Sequence, residues 1–179
     1  MTPEQSKAVV DLFHRRISPA EFVARTGLDP VARPGLIDSE LRASLVSRDA
    51  DAVTDALVLA GFFDRMTVDL APVLAELLLL PWHYEHENIA LELQGLRVPA
   101  TADALAQAAL VKYDYLDSDD SHAFARKCTW ALADIGTPEA RAHLENLAHA
   151  DDAEIAGYAQ RRLDNWDKEL SRKGSAPRP

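Results

Sequence analysis

His83, Glu85, His86 and Glu87 form the only metal-like cluster in the chain. Zinc hydrolysis from a HExxH helix needs two histidines four positions apart on one face, with the glutamate between them as base. His86-Glu87-Asn88-Ile89-Ala90 puts Ala90 where the second ligand must stand. His83-Tyr84-Glu85-His86 is one residue short of the inverted motif. No metal site is expected, and Trp82 and His83 read as packing against the preceding helix.

The segment from Asp114 to Asp120 also holds chemistry-bearing residues, Asp114, Asp117, Asp119 and Asp120. A calcium loop started at Asp117 meets His122 where glycine is required and Cys128 where the bidentate glutamate belongs, so it fails twice. A helix follows closely, and Asp119, Asp120 or Ser121 is placed to cap it. Capping needs only one of them, so the surplus charge makes this loop the first candidate for contacting a basic partner. Asp151, Asp152 and Glu154, on the next inter-helix loop, form the second candidate. Cys128 and His122 lie six residues apart, about 120° around a helix, and do not form a dyad. Cys128 shares a stripe with Phe124, Ala131 and Ile135 and reads as a small core residue.

No cofactor is expected. The seven glycines (27, 35, 61, 95, 136, 157 and 174) never come closer than eight residues, so neither a dinucleotide fingerprint, a phosphate loop nor a nucleophile elbow is present. A formal charge of −10 disfavours nucleic acid and favours basic protein partners. Arg161, Arg162, Lys168, Arg172 and Lys173 alternate with Asp164, Asp167 and Glu169, which reads as ion pairs along a solvated helix. No apolar run is long enough for a membrane helix, no export signal is evident, and the single cysteine fits a reducing compartment, so a cytoplasmic location is expected.

The elements that must hold these residues are helices. The chain of 179 residues carries 30 Ala and 24 Leu against 5 Ile, a helix-former's composition. Thr2-Pro3-Glu4-Gln5 and Ser18-Pro19-Ala20-Glu21 each spell a capping box with proline at the first helical position. Together with Gly27, Asp49 and Thr67 they predict helices over about 3–15, 19–26, 36–47, 50–63 and 68–80. Stripes then follow at Ile89, Leu93 and Leu96, at Phe124 to Ile135, at Ala140, Leu144 and Leu147, and at Ile155, Ala159, Leu163 and Trp166. No strand alternation is present.

An internal repeat accompanies these stripes. Ala90-Leu91 with Gly95 recurs as Ala131-Leu132 with Gly136 at an offset of 41, and Pro99 and Leu105 recur as Pro138 and Leu144 at an offset of 39. A two-helix unit of about 40 residues is the length of a HEAT or armadillo repeat. Trp82-His83, His86-Glu87, Ile89, Leu93, Tyr113-Asp114-Tyr115-Leu116 and the run Ala125 to Thr137 together resemble a group of bacterial HEAT-repeat proteins. Many of these look like immunity proteins of polymorphic or contact-dependent toxin systems. The resemblance spans about residues 66–166, with Lys127-Cys128-Thr129-Trp130-Ala131-Leu132 its most specific stretch, while Asn88 stands where an acidic residue is expected.

The expected architecture is all-α: a HEAT-like solenoid of helical hairpins over residues 1–170, with N-terminal helices over 1–65, a repeat region over 66–170 and a disordered tail over 171–179. The resemblance implies a non-catalytic immunity protein, monomeric when free, that binds a cognate toxin, and the charge favours a basic toxin such as a nuclease. A general HEAT-repeat scaffold is the alternative. A helical-repeat enzyme is less favoured: a glycosylase needs a basic face where the expected second helices offer only Lys112 and Arg141, and a chromophore lyase would show a coloured adduct in a visible absorption spectrum.

Overall fold

The structure, a computed structural model, describes residues 1–116 and 122–172. Among the described residues are eleven α-helices, three short 3-10 turns and no strand. Two compact units divide the chain, Met1–Met66 and Thr67–Pro179.

In the first unit, α1 (Pro3–Phe13) packs on α2 (Pro19–Thr26) and α4 (Ala50–Phe62), and α3 (Leu36–Ser47) packs on α4. Both capping boxes form, with the Thr2 and Ser18 hydroxyls accepting from the Gln5 and Glu21 N–H groups. Gly27 ends α2 at φ 67°, a left-handed conformation glycine adopts without a Cβ clash. Asp49 caps α4 through the Ala52 N–H. Val9, Leu12, Phe22, Ile37, Leu41 and Leu59 close the core.

The second unit opens with a 3-10 turn (Val68–Leu70) leading into α5 (Ala71–Leu77). The expected helix over 68–80 therefore ends earlier, before Pro81. Then come α6 (His86–Leu96), α7 (Ala102–Ala108), α8 (Ala123–Ile135), α9 (Pro138–Leu147), α10 (Ala153–Asp164) and α11 (Trp166–Arg172). Helix α8 is central and packs on α6, α7, α9, α10 and α11. Trp166 begins α11 instead of extending α10, because the backbone breaks at Asn165. Ser171 and Arg172 are the last residues of α11, and the rest of the expected tail, 173–179, lies outside the described residues.

Burial corrects the repeat offset. Ile89 and Cys128, Leu93 and Leu132, Leu105 and Leu144, and Ala108 and Leu147 are all buried pairs, and each pair is separated by 39 residues. The caps follow the same spacing: Arg97 and Gly136 end α6 and α8 in the left-handed region, and Pro99 and Pro138 follow. The offset of 41 set Leu91, which is exposed, against Leu132, which is buried. Gly95 lies inside α6 and Gly136 caps α8, so the shared glycine marks no common position.

Candidate partner-binding site

The start of the first acidic segment is held at the C-terminal end of α5 and the residues just after it. The last carbonyls of a helix have no partner inside it, and where they are buried something must donate to them. Here the donors are rings. His83 Nε2 donates to the Leu77 carbonyl at 2.8 Å, Tyr113 Oη to Leu78 at 2.9 Å and His86 Nε2 to Leu80 at 2.9 Å. A carbonyl only accepts, so both histidines carry their proton on Nε2. Each Nδ1 accepts instead, from the Glu85 N–H in His83 and from Tyr115 Oη at 2.7 Å in His86.

The rings also stack, His83 on His86 at 4.1 Å and His86 on Tyr113 at 3.6 Å between centroids. Burial, with neighbouring His83, lowers the His86 ring to a pKa of about 4, and burial pushes Tyr113 and Tyr115 up to about 12. Every ring nitrogen of the candidate metal cluster is thus committed to holding the chain. Among the described residues no group of three or more His, Cys, Asp or Glu is placed to hold a metal ion. Cys128 is fully buried, and its thiol is pushed up by that burial.

Tyr113 and Tyr115 anchor the start of the Asp-rich segment, and its far end is anchored on α10. Asp114 is exposed in a 3-10 turn (Asp114–Leu116), while Asp117, Asp119 and Asp120 lie outside the described residues, as does Ser121. The position before α8 is occupied by His122 in the left-handed region, with no side-chain cap. Its ring reaches Asp152 instead, donating from Nε2 at 3.0 Å. Lys112, just before the segment, reaches the same carboxylate at 3.6 Å. Asp152 also caps α10 through the Glu154 and Ile155 N–H groups. Desolvation pushes its carboxyl up, but those N–H groups and His122 outweigh it and hold the pKa below the ordinary value. The residues on either side of the first acidic segment, Lys112 and His122, therefore meet the second segment at Asp152, a relation the sequence left open.

Beside this junction an open cleft of about 540 Å³ lies between α7 and α9. Ala106, Leu110, Leu147 and Ile155 supply its apolar lining, and Asp103, Asp151 and Asp152 stand on it with Lys112, His143 and His149. Leu110 is 57% exposed. Glu154 turns elsewhere, to a second groove with Arg126, Trp130, Tyr158, Arg161 and Arg162. Of the second candidate set, Asp151 and Asp152 share the cleft and Glu154 does not.

In the basic C-terminal stretch Arg161, Asp164, Asp167 and Lys168 are exposed as expected, and Arg162 with Glu169 is the exception. Arg162 lies over the Trp130 ring at 3.6 Å and pairs with Glu169 at 2.9 Å, and Glu169 is buried. That pair is part of the packing of α10 and α11 against α8 and not a solvated face. Trp130, half-buried within the Lys127–Leu132 stretch, was the available signal, since arginine stacks on tryptophan.

Comparison with known proteins finds no matching family model, no matching curated protein and no matching solved structure. Among the described residues no helix is long and apolar enough to cross a membrane.

Proposed function

We propose that the chain is a non-catalytic immunity protein that neutralises a cognate bacterial toxin by occluding it, the toxin being basic and acting in the cytoplasm, as a nuclease would. The observation that carries this reading is that Lys112 and His122, on either side of the Asp-rich segment, both reach Asp152 of the second acidic segment, beside an open cleft. Acidic side chains gathered beside a cleft steer a basic partner into contact. Commitment of the histidine and tyrosine groups to helix carbonyls favours binding over chemistry.

A HEAT-like stack supports the same reading. Helices α6 and α8 pack side by side, as do α7 and α9, and a single offset of 39 residues relates both pairs in burial and in capping. Stacked hairpins of this kind bury a common seam and leave an extended surface for protein partners.

The test is co-expression with the product of the adjacent reading frame. Growth is expected to be rescued and the two proteins to co-purify at low salt. Lysine at Asp117, Asp119 and Asp120 is expected to slow association and weaken its salt dependence. Failure to bind any neighbouring product, with no rescue, overturns the immunity reading and leaves a general scaffold.

A further inference from the structure

We infer that the cleft between α7 and α9 is a docking groove for a cationic amphipathic segment of the partner, one that inserts an apolar side chain and sets lysine or arginine against the rim. This deepens the proposed function and rests on it for the partner's charge.

The shape comes first. A concavity of about 540 Å³ has room for several side chains and not for a folded domain, so its occupant is a segment. The chemistry of its wall follows. Leu110, Leu147 and Ile155 line it, and Leu110 stays 57% exposed at the end of α7, an apolar side chain that a bound neighbour would cover. Leu147 and Ile155 are themselves buried and belong to α9 and α10, so the floor is built on packed helices. Such a floor needs little reorganisation on binding.

Charge selects among apolar occupants. Three carboxylates, Asp103, Asp151 and Asp152, stand on the lining against one ammonium, Lys112, which is already paired with Asp152 at 3.6 Å. The Asp103 side chain accepts from Gln107 at 3.2 Å and lies 3.7 Å from His143 yet stays 75% exposed, and Asp151 is exposed, so both can also receive a cation at the rim. An acidic segment would set like charge against the exposed Asp103 and Asp151, and a purely apolar one would take water from them without replacing it. A helix with leucines on one face and lysines along its edges satisfies both surfaces, the helix-in-groove mode of recognition.

The probe is a labelled, acetylated fourteen-residue helical peptide of leucine and lysine, with a version carrying glutamate for lysine as its control, and binding is read by fluorescence anisotropy with the full chain. The lysine peptide is expected to bind and the glutamate peptide to fail. The double variant Asp103→Lys with Asp151→Lys is expected to weaken binding by about tenfold or more, and so is Leu110→Ala. These three side chains are exposed and cap no helix, and circular dichroism verifies that each variant keeps its fold.

Equal binding of both peptides, or a lysine peptide indifferent to all three substitutions, overturns the groove. With the toxin itself in hand, a complex unaffected by these substitutions also overturns the groove and leaves immunity standing. A lysine peptide that docks as expected, with no toxin among the neighbouring products, supports the groove and removes the immunity reading alone.

Discussion

His122 and Asp152 stand 30 positions apart and meet through one hydrogen bond, imidazole Nε2 to carboxylate, at 3.0 Å. The same carboxylate caps α10 and receives Lys112, so one side chain ties both ends of the Asp-rich segment to the start of a helix. Asp152→Ala is therefore expected to cost about 1–2 kcal/mol, most of it the lost cap, since exposed ion pairs contribute little. Urea unfolding measures the cost, and amide exchange around Lys112 and His122 should accelerate in the same variant. The pH dependence has a definite sign. A carboxyl held below its ordinary pKa stabilises the fold above the unfolded value, about pH 4, and loses that contribution as pH falls through the lowered value. The acid limb of Asp152→Ala should accordingly be shallower than that of the parent chain.

A second pH dependence belongs to the stacked histidines. His86 titrates at about 4 in the folded chain against 6.5 when unfolded, so between those values the unfolded chain takes up a proton that the native one refuses. Stability is complete above the upper value and declines as pH falls towards the lower, by about 2 kcal/mol between pH 7 and pH 5. His83, lowered by the same burial, acts in the same direction. His86→Gln should be less stable at pH 7 and should lose less between pH 7 and pH 5. Urea midpoints at the two pH values decide it, and an equal loss in both chains would assign the dependence elsewhere.

The parts of the fold legible in the sequence are those set by neighbours in the chain. Thr2 with Gln5, Ser18 with Glu21, and Asp49 cap helices at their expected positions, because a cap is a contact across three residues, whereas Thr67 precedes a 3-10 turn and makes no side-chain cap bond. Ring donation to the carbonyls at and just after the end of α5 was not legible, because Tyr113 reaches Leu78 across 35 positions and no local pattern marks such a contact. The acidic segments were visible as composition, but the meeting of His122 with Asp152 depends on how α8 and α10 pack. Gly95 misled the repeat alignment because a glycine inside a helix and a glycine ending one look alike as letters.

Two helix ends provide a matched test of backbone strain. Gly136 ends α8 at φ 70°, and a Cβ there would also meet the Leu170 side chain at 2.9 Å. Arg48 ends α3 at φ 54° with an exposed, non-glycine side chain. A left-handed conformation costs an ordinary residue about 1–2 kcal/mol, part of which glycine gives back through the entropy of the unfolded chain. Gly136→Ala should thus lower stability by about 1 kcal/mol or more, and Arg48→Gly should raise it by up to about 1 kcal/mol. Thermal unfolding of the two variants reads opposite signs if backbone conformation governs both ends.

The repeat register is open to direct measurement by truncating leucines. At an offset of 39, Leu93 in α6 and Leu132 in α8 correspond, and both are fully buried. At an offset of 41 the counterpart of Leu132 would be Leu91, which is 50% exposed. Removing a buried leucine costs the transfer energy of its carbons and leaves a cavity that the surrounding helices close only in part, about 2–5 kcal/mol in all. An exposed leucine leaves no cavity, and its loss costs less than about 1 kcal/mol. Leu93→Ala and Leu132→Ala should therefore be similarly severe in urea unfolding, and Leu91→Ala nearly silent. A severe Leu91→Ala beside a mild Leu93→Ala would move the repeat back to the longer spacing and separate the buried stripe of α6 from that of α8.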